Sequence, residues 1–210
     1  LDIDRLPDPE FDRTAVTIGN FDGVHTGHQE LINQTVRSAR TYNLKSVVIT
    51  FDPHPAAYFI PEHVPPAICS HKFKLKLIEK LGVDAILTLK FDKELASLKA
   101  DEYVKKILLN KLNAQIVWIG YDFTFGYKRQ GNPRLLIELS ERLNFQAHVL
   151  SPQRIGDVVV SSTKIRKLIQ SGELANASTL LGRKHVIRGT VVHGDHEGRV
   201  LGFPTININI

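Results

Sequence analysis

Five short runs rich in β-branched and apolar residues, at positions 14–19, 46–51, 85–89, 114–120 and 146–150, are separated by stretches long enough to hold a helix. This alternation constrains the fold more than any other feature of the chain. Strands joined through helices run parallel, and several such units in succession predict an α/β fold with a doubly wound parallel sheet. Apolar residues at Leu31, Ile32, Val36 and Ala39 mark a first helix, and Tyr103, Val104, Ile107 and Leu108 mark another within 101–112. Leu135, Leu136, Leu139 and Leu143 mark a third, for which Asn132-Pro133 supplies a capping side chain and a first-turn proline. The stretch 71–82 reads two ways. Phe73, Leu75 and Leu77 fit a strand, Phe73, Leu77 and Leu81 fit a helix, and Gly82 as a stop favours the helix.

From Gly182 the texture changes to closely spaced glycines, β-branched runs and strict alternation over 205–210. That is the beginning of an all-β piece rather than another strand-helix unit. The expected division is therefore an α/β domain over 1–183 followed by a separate segment over 184–210.

Composition narrows the function. Hydrophobic residues make up 42% of the chain and charged residues 23%, enough apolar surface for a core. No apolar run approaches the roughly 18 residues that cross a bilayer, and the first twelve positions lack a basic-then-apolar signal pattern, so no membrane partner and a cytoplasmic location are expected. The single cysteine, Cys69, has no partner for a disulfide or a Cys-Cys metal frame and reads as a small buried apolar residue. The net charge of +5 suits either phosphorylated small molecules or RNA. The charges gather at Lys128, Arg129 and Arg134, and again at Lys164, Arg166 and Lys167. No aromatic RNA-binding motif or arginine-rich stripe accompanies them, which argues against a nucleic-acid partner.

Two motifs carry chemistry. Gly19-Asn20-Phe21-Asp22-Gly23-Val24-His25-Thr26-Gly27-His28 joins the first strand to the first helix, where free backbone N–H groups and the helix dipole favour an anion. Gly27 permits close backbone approach to a phosphate, and His25 and His28 can aim ring donors at it. The same histidines could instead be surface residues or half of a metal site, although no third ligand is evident. Further along, Ser161-Ser162-Thr163 precedes the apolar Ile165, Leu168 and Ile169 and would cap another helix, with Arg166 facing a polyphosphate. An ordinary serine cap is the plainer alternative. Two helix N-termini in one parallel sheet can converge on a single crevice.

Taken together, His25-x-Gly27-His28 and Ser161-Ser162-Thr163-x-x-Arg166 resemble the paired signature of the HxGH nucleotidylyltransferases, whose fold is Rossmann-like. The flanking GNFDGVHTGHQ, TFDPHP at 50–55, GYDFTFG at 120–126 and LGFPTIN are similar to the bacterial bifunctional riboflavin kinase/FMN adenylyltransferases, or FAD synthetases. The resemblance implies transfer of AMP from ATP, accompanied by Mg²⁺, to FMN, giving FAD and pyrophosphate. It makes His25, His28 and Arg166 catalytic and puts Gly19, Asn20, Phe21, Gly27, Ser161, Ser162 and Thr163 at ATP. Asp22, Phe51, Pro53, Pro55, Asp122 and Phe123 go to FMN, and no all-protein metal site is implied in the first domain. Taken singly, the Phe and Pro residues also fit an ordinary loop core. Over 184–210 the resemblance implies the start of a riboflavin kinase β-barrel, with Gly194 and Gly202 in nucleotide-facing turns and Pro204, Thr205 and Asn207 near its nucleotide and metal. Ile206 stands where that family usually has alanine. Because the sequence stops at Ile210, phosphorylation of riboflavin is expected only with the rest of a barrel. The competing readings are another HxGH transferase, acting on pantetheine phosphate or nicotinate mononucleotide, and a basic RNA-binding module.

Overall fold

In the computed structural model, which describes residues 12–192, 202 and 207–209, five strands form one wholly parallel sheet in the order β3-β2-β1-β4-β5. They are β1 (Thr14–Ile18), β2 (Lys45–Phe51), β3 (Ala85–Leu89), β4 (Ala114–Gly120) and β5 (Gln146–Leu150). Strand alternation sends side chains to two cores. Val16 and Ile18 of β1, Val47 and Ile49 of β2 and Val117 and Ile119 of β4 pack in one cluster with Ile107, Leu108, Leu136 and Leu139. On the other side Val48 joins Leu31, Ile32 and Val36, while Ala15 and Ile116 meet Ala39. Two covered faces explain why β1 and β2 are buried at nearly every position instead of alternating buried with exposed residues.

Helix α1 (Thr26–Tyr42) buries Leu31, Ile32, Thr35, Val36 and Ala39 and ends at Asn43 in a left-handed conformation. Each Leu or Ile so buried contributes about 1.5–3 kcal/mol relative to exposure. Short helices α2 (Pro55–Phe59) and α4 (Lys93–Ser97) follow β2 and β3. Helix α3 (His71–Glu79) settles the ambiguous stretch, but the residues it buries are Lys74 and Ile78, with Leu77 and Leu81 only partly covered. The expected helix over 101–112 is α5 (Ala100–Tyr103) running into a π-helical segment, Val104–Lys111. Tyr103, Val104, Ile107 and Leu108 face the core in either winding, so the apolar pattern could not distinguish them. In α6 (Pro133–Leu143) the Asn132 side chain accepts from the Leu135 N–H, as the capping pattern predicts.

A small antiparallel pair, β6 (Arg154–Ile155) and β7 (Val158–Val159), leads into α7 (Ser162–Gln170) and α8 (Leu174–Leu181). These two helices form their own apolar cluster with Ile68 and Val160. Beyond residue 183, β8 (Thr190–Val192) pairs antiparallel with β9 (Asn207–Asn209), in keeping with the change of texture there. Gly202 has a φ of 74° and Asn207 opens β9, whereas Gly194, Pro204 and Thr205 lie outside the described residues.

Candidate active site

The sheet reverses direction of winding between β1 and β4, and the C-terminal ends of those strands open on a cleft of about 450 Å³. Such a switch point is where open α/β sheets bind ligands. The loop leaving β1 is tightly wound, with Phe21, Gly23 and Val24 at φ values of 50°, 79° and 41°. Left-handed backbone is uncommon for a β-branched residue, and here burial of Phe21 and Val24 and the bond from the Val24 N–H to the Phe21 carbonyl hold it. Gly19 is needed for the same packing, since a Cβ there would stand 3.1 Å from the Phe21 ring.

His25 is the N-cap of α1, its Nδ1 accepting from the His28 N–H at 3.2 Å. It is 6% exposed and does not line the cleft. The expectation put its ring at the ligand with that of His28; in the structure the cap bond holds it beneath the loop. A Cβ on Gly27 would lie 3.3 Å from the His25 ring, so this glycine accommodates the cap. The two imidazoles stack at 3.5 Å, and His28 meets the edge of Phe21 at 5.3 Å. Burial, with a smaller contribution from Arg183, lowers His25 to about 4. His28 is pushed well below the usual histidine range by burial, then by His25 and Lys74. Both rings are therefore neutral near pH 7. His28 lines the cleft, and its Nδ1 is buried with no protein partner.

Asp22 links this loop to the second motif. Its carboxylate accepts from the Ile68 N–H at 3.0 and 3.1 Å and pairs with Arg166 Nη2 at 2.6 Å. Arg166 Nε donates to the Pro66 carbonyl at 2.8 Å, and the Ser162 hydroxyl donates to the Asp22 carbonyl at 3.0 Å. Ser161 caps α7 as expected, accepting from the Lys164 N–H, while Thr163 is exposed. The N-termini of α1 and α7, separated by over a hundred residues of sequence, thus meet at one cleft.

Of the predicted residues, Gly19, Asn20, Phe21, Asp22, Ser162 and Arg166 line the cleft on this side. Phe51, Pro55, Asp122 and Phe123 line its other side, but the exposed Pro53, which follows the cis Asp52–Pro53 bond, does not. Neither do Gly27, Ser161 and Thr163. Sequence reasoning missed several members of the wall: Phe59, Phe91 and Phe125, whose ring contacts extend the apolar side, Tyr103, His54 and Arg129. Arg129 belongs to the first basic cluster, a signal that was present without a location. Also missed was Lys74, 8% exposed beneath the loop, whose ammonium donates to the Asn20 carbonyl, the Thr50 hydroxyl and the Phe51 carbonyl at 3.1, 3.0 and 3.2 Å. Cys69 is half-buried, more open than expected, and burial pushes its thiol up.

Among the described residues no group of three His, Cys, Asp or Glu side chains could hold a metal ion, and no helix is long and apolar enough to cross a membrane.

Comparison with known proteins gives a consistent pattern. The family model for FAD synthetase matches residues 8–164, and that for riboflavin kinase matches residues 181–210. A bifunctional riboflavin kinase/FMN adenylyltransferase of Buchnera aphidicola subsp. Acyrthosiphon pisum is 38% identical over 195 residues, covering 93% of this chain and 62% of the relative. The Haemophilus influenzae protein of the same name is 39% identical over 201 residues, covering 93% and 64%. The chain thus spans less than two thirds of the length of these curated relatives. A crystal structure from Streptococcus pneumoniae described as a macrolide-efflux protein superposes with a TM-score of 0.84 at 31% identity, covering 100% of this chain and 68% of that one.

Proposed function

The chain belongs to the FAD synthetase family, and on that premise we propose that its cleft joins AMP from ATP to the phosphate of FMN, releasing pyrophosphate. One observation carries the reading: the N-termini of α1 and α7 share a cleft through Asp22, Ser162 and Arg166, and the opposite wall of that cleft is aromatic. Two helix N-termini suit a polyphosphate. A wall of Phe51, Phe59, Phe91 and Phe123 suits a flat isoalloxazine better than the thin chain of a pantetheine phosphate.

A phosphate oxygen of FMN attacks the α-phosphorus of ATP in line. The new P–O bond forms as the α–β bridging P–O bond breaks, and pyrophosphate leaves with the electron pair. Phosphate is already a nucleophile at neutral pH, so no protein nucleophile or base is needed. The protein's contribution is to position two anions and stabilise charge as it moves toward pyrophosphate. His28 would donate from a neutral ring, and the Ser162 hydroxyl and the amides opening α1 and α7 would donate beside it. Arg166, with Nε and Nη2 already engaged, offers a guanidinium of fixed orientation. His25 and Asp22 hold these groups in place. ATP would enter as its Mg²⁺ complex, the ion neutralising phosphate charge during transfer.

In the same reading residues 1–183 carry adenylyl transfer and 184–210 begin a riboflavin kinase barrel, supported by the β8–β9 pair and the second family match. Gly202 and Asn207, with Gly194, Pro204 and Thr205, belong to that barrel, and riboflavin phosphorylation to its completed form. A cytoplasmic location, where ATP and FMN are at hand, belongs to the same proposal. The test is to incubate the chain with ATP, Mg²⁺ and FMN and separate the products chromatographically. FAD and pyrophosphate in equal amounts are expected; no FAD, with pyrophosphate appearing only when pantetheine phosphate or nicotinate mononucleotide replaces FMN, would overturn the flavin assignment.

A further inference from the structure

An ammonium group buried without a carboxylate in hydrogen-bonding range is an expensive feature at a helix position that an apolar side chain could fill. Lys74 is such a group. Its helix, α3, is already anchored by Ile78 in the cluster containing Phe21 and Val24, so the lysine is not needed to dock it. All three ammonium protons are spent on neutral oxygens, and those oxygens come from the continuations of β1 and β2 just past the last backbone bond between them, from the Gly19 N–H to the Ile49 carbonyl. The Asn20 carbonyl belongs to the loop that opens toward the helix N-termini. The Thr50 hydroxyl and the Phe51 carbonyl end β2, from which the chain turns into the wall carrying His54, Pro55 and Phe59.

We propose that Lys74 is a positioning residue for adenylyl transfer: its ammonium ties the phosphate-binding loop at Asn20 to the end of β2 at Thr50 and Phe51, fixing the spacing between the two halves of the cleft. The inference rests on the function proposed above. Each half can bind its own ligand without the tether, but in-line attack requires the two reacting phosphates to lie within contact distance along one axis, and a displacement of about 1 Å costs on the order of a hundredfold in rate. The lysine touches neither half's ligand in this account. It acts through Asn20 and Phe51. Thr50 adds a weaker link of its own, its hydroxyl donating to the Asn20 carbonyl at 3.2 Å, so losing the ammonium loosens the junction without severing it. Lys74 also contributes to holding the His28 ring neutral.

The experiment compares wild type with Lys74→Met, nearly isosteric and uncharged, and Lys74→Arg, which keeps the charge. Three quantities are measured: FAD formation at saturating substrates, binding of FMN alone and of ATP alone, and hydrogen exchange of the backbone amides at 19–24 and 50–54. In Lys74→Met, kcat should fall at least thirtyfold while the two separate dissociation constants change less than about threefold. Exchange should rise at the two tethered segments and not in the centre of the sheet. Lys74→Arg should recover part of kcat. Wild-type kcat in Lys74→Met would overturn the proposal, and so would a loss fully accounted for by unfolding, with exchange raised across the sheet. If the wild type makes no FAD, the functional reading fails by itself. The tether is still judged by exchange: unchanged amides at Asn20 and Phe51 in Lys74→Met would refute it.

Discussion

The Asp22–Arg166 pair lends itself to a quantitative test because it stands at the junction of the two motifs and is nearly buried, with side-chain exposures of 11% and 15%. At a charge separation of about 4 Å and an effective dielectric constant near 20, the attraction is about 4 kcal/mol, from which the cost of removing both charges from water must be deducted. Removing one partner is worse than removing both. Arg166→Met would leave the Asp22 carboxylate with only the Ile68 N–H, and the Pro66 carbonyl without its donor. The expected loss is about 3–5 kcal/mol, lowering the melting temperature by about 10 °C. Asp22→Asn should cost somewhat less, because an amide oxygen can still accept from Ile68. The double variant should be more stable than the sum of the single losses predicts, with a coupling of about 2–3 kcal/mol.

Urea denaturation of the four proteins near pH 7 gives the cycle directly. A coupling below about 0.5 kcal/mol would refute the argument that this pair joins the motifs. Kinetics on the same variants add a second reading. If Arg166 also stabilises charge on the leaving pyrophosphate, kcat per folded molecule in Arg166→Met should drop about a hundredfold with a smaller change in ATP affinity. Arg166→Lys should recover only part, since a point charge cannot reproduce a planar fork engaged at both Pro66 and Asp22. Unchanged kcat would leave Arg166 a purely structural residue.

His25 makes stability depend on pH: the folded state refuses a proton until about pH 4 whereas the unfolded chain takes it near 6.5, so stability is complete above 6.5 and falls by about 3 kcal/mol as pH drops toward 4. Melting curves across that range should show the loss, and His25→Asn, which keeps a capping oxygen for the His28 N–H, should reduce it without abolishing it, because His28 is also held below the usual histidine range. At Gly126, which has a φ of 72°, a Cβ would stand 2.7 Å from the Ala100 backbone, so Gly126→Ala should destabilise by about 2–3 kcal/mol in denaturant titration. His28→Ala should lower kcat about a hundredfold in steady-state FAD synthesis, and His28→Gln should recover part, because the ring donates as a neutral group; a wild-type rate in His28→Ala would remove it from the chemistry.

The five strands, the cap at Asn132 and the cap at Ser161 were legible because each depends on residues within a few positions of one another. Apolar runs record burial on two faces, and a capping side chain reaches only as far as the next turn. The winding of 104–111 escaped because burial of Val104, Ile107 and Leu108 is compatible with either helix type. The buried face of α3 escaped for a different reason. A search for apolar periodicity passes over a lysine, and what makes burial of Lys74 tolerable is a set of oxygens at Asn20, Thr50 and Phe51, none of them near it in sequence.

The site shows the same divide within a single motif. Family resemblance made the residues of the first loop stand out without separating those that can meet a ligand from those that hold the loop together. In the structure His25 caps, Gly19 and Gly27 sit against rings, and Asp22 spends its carboxylate on Ile68 and Arg166. His28 alone of these has a buried ring nitrogen with no protein partner. Substitutions at Asp22 or Arg166 therefore mix stability with chemistry, and a rate loss there speaks about catalysis only after the folding cost has been measured. At His28 the protein forfeits no hydrogen bond at Nδ1 when the ring is removed, so a rate loss reports more directly on what the cleft does to its ligand.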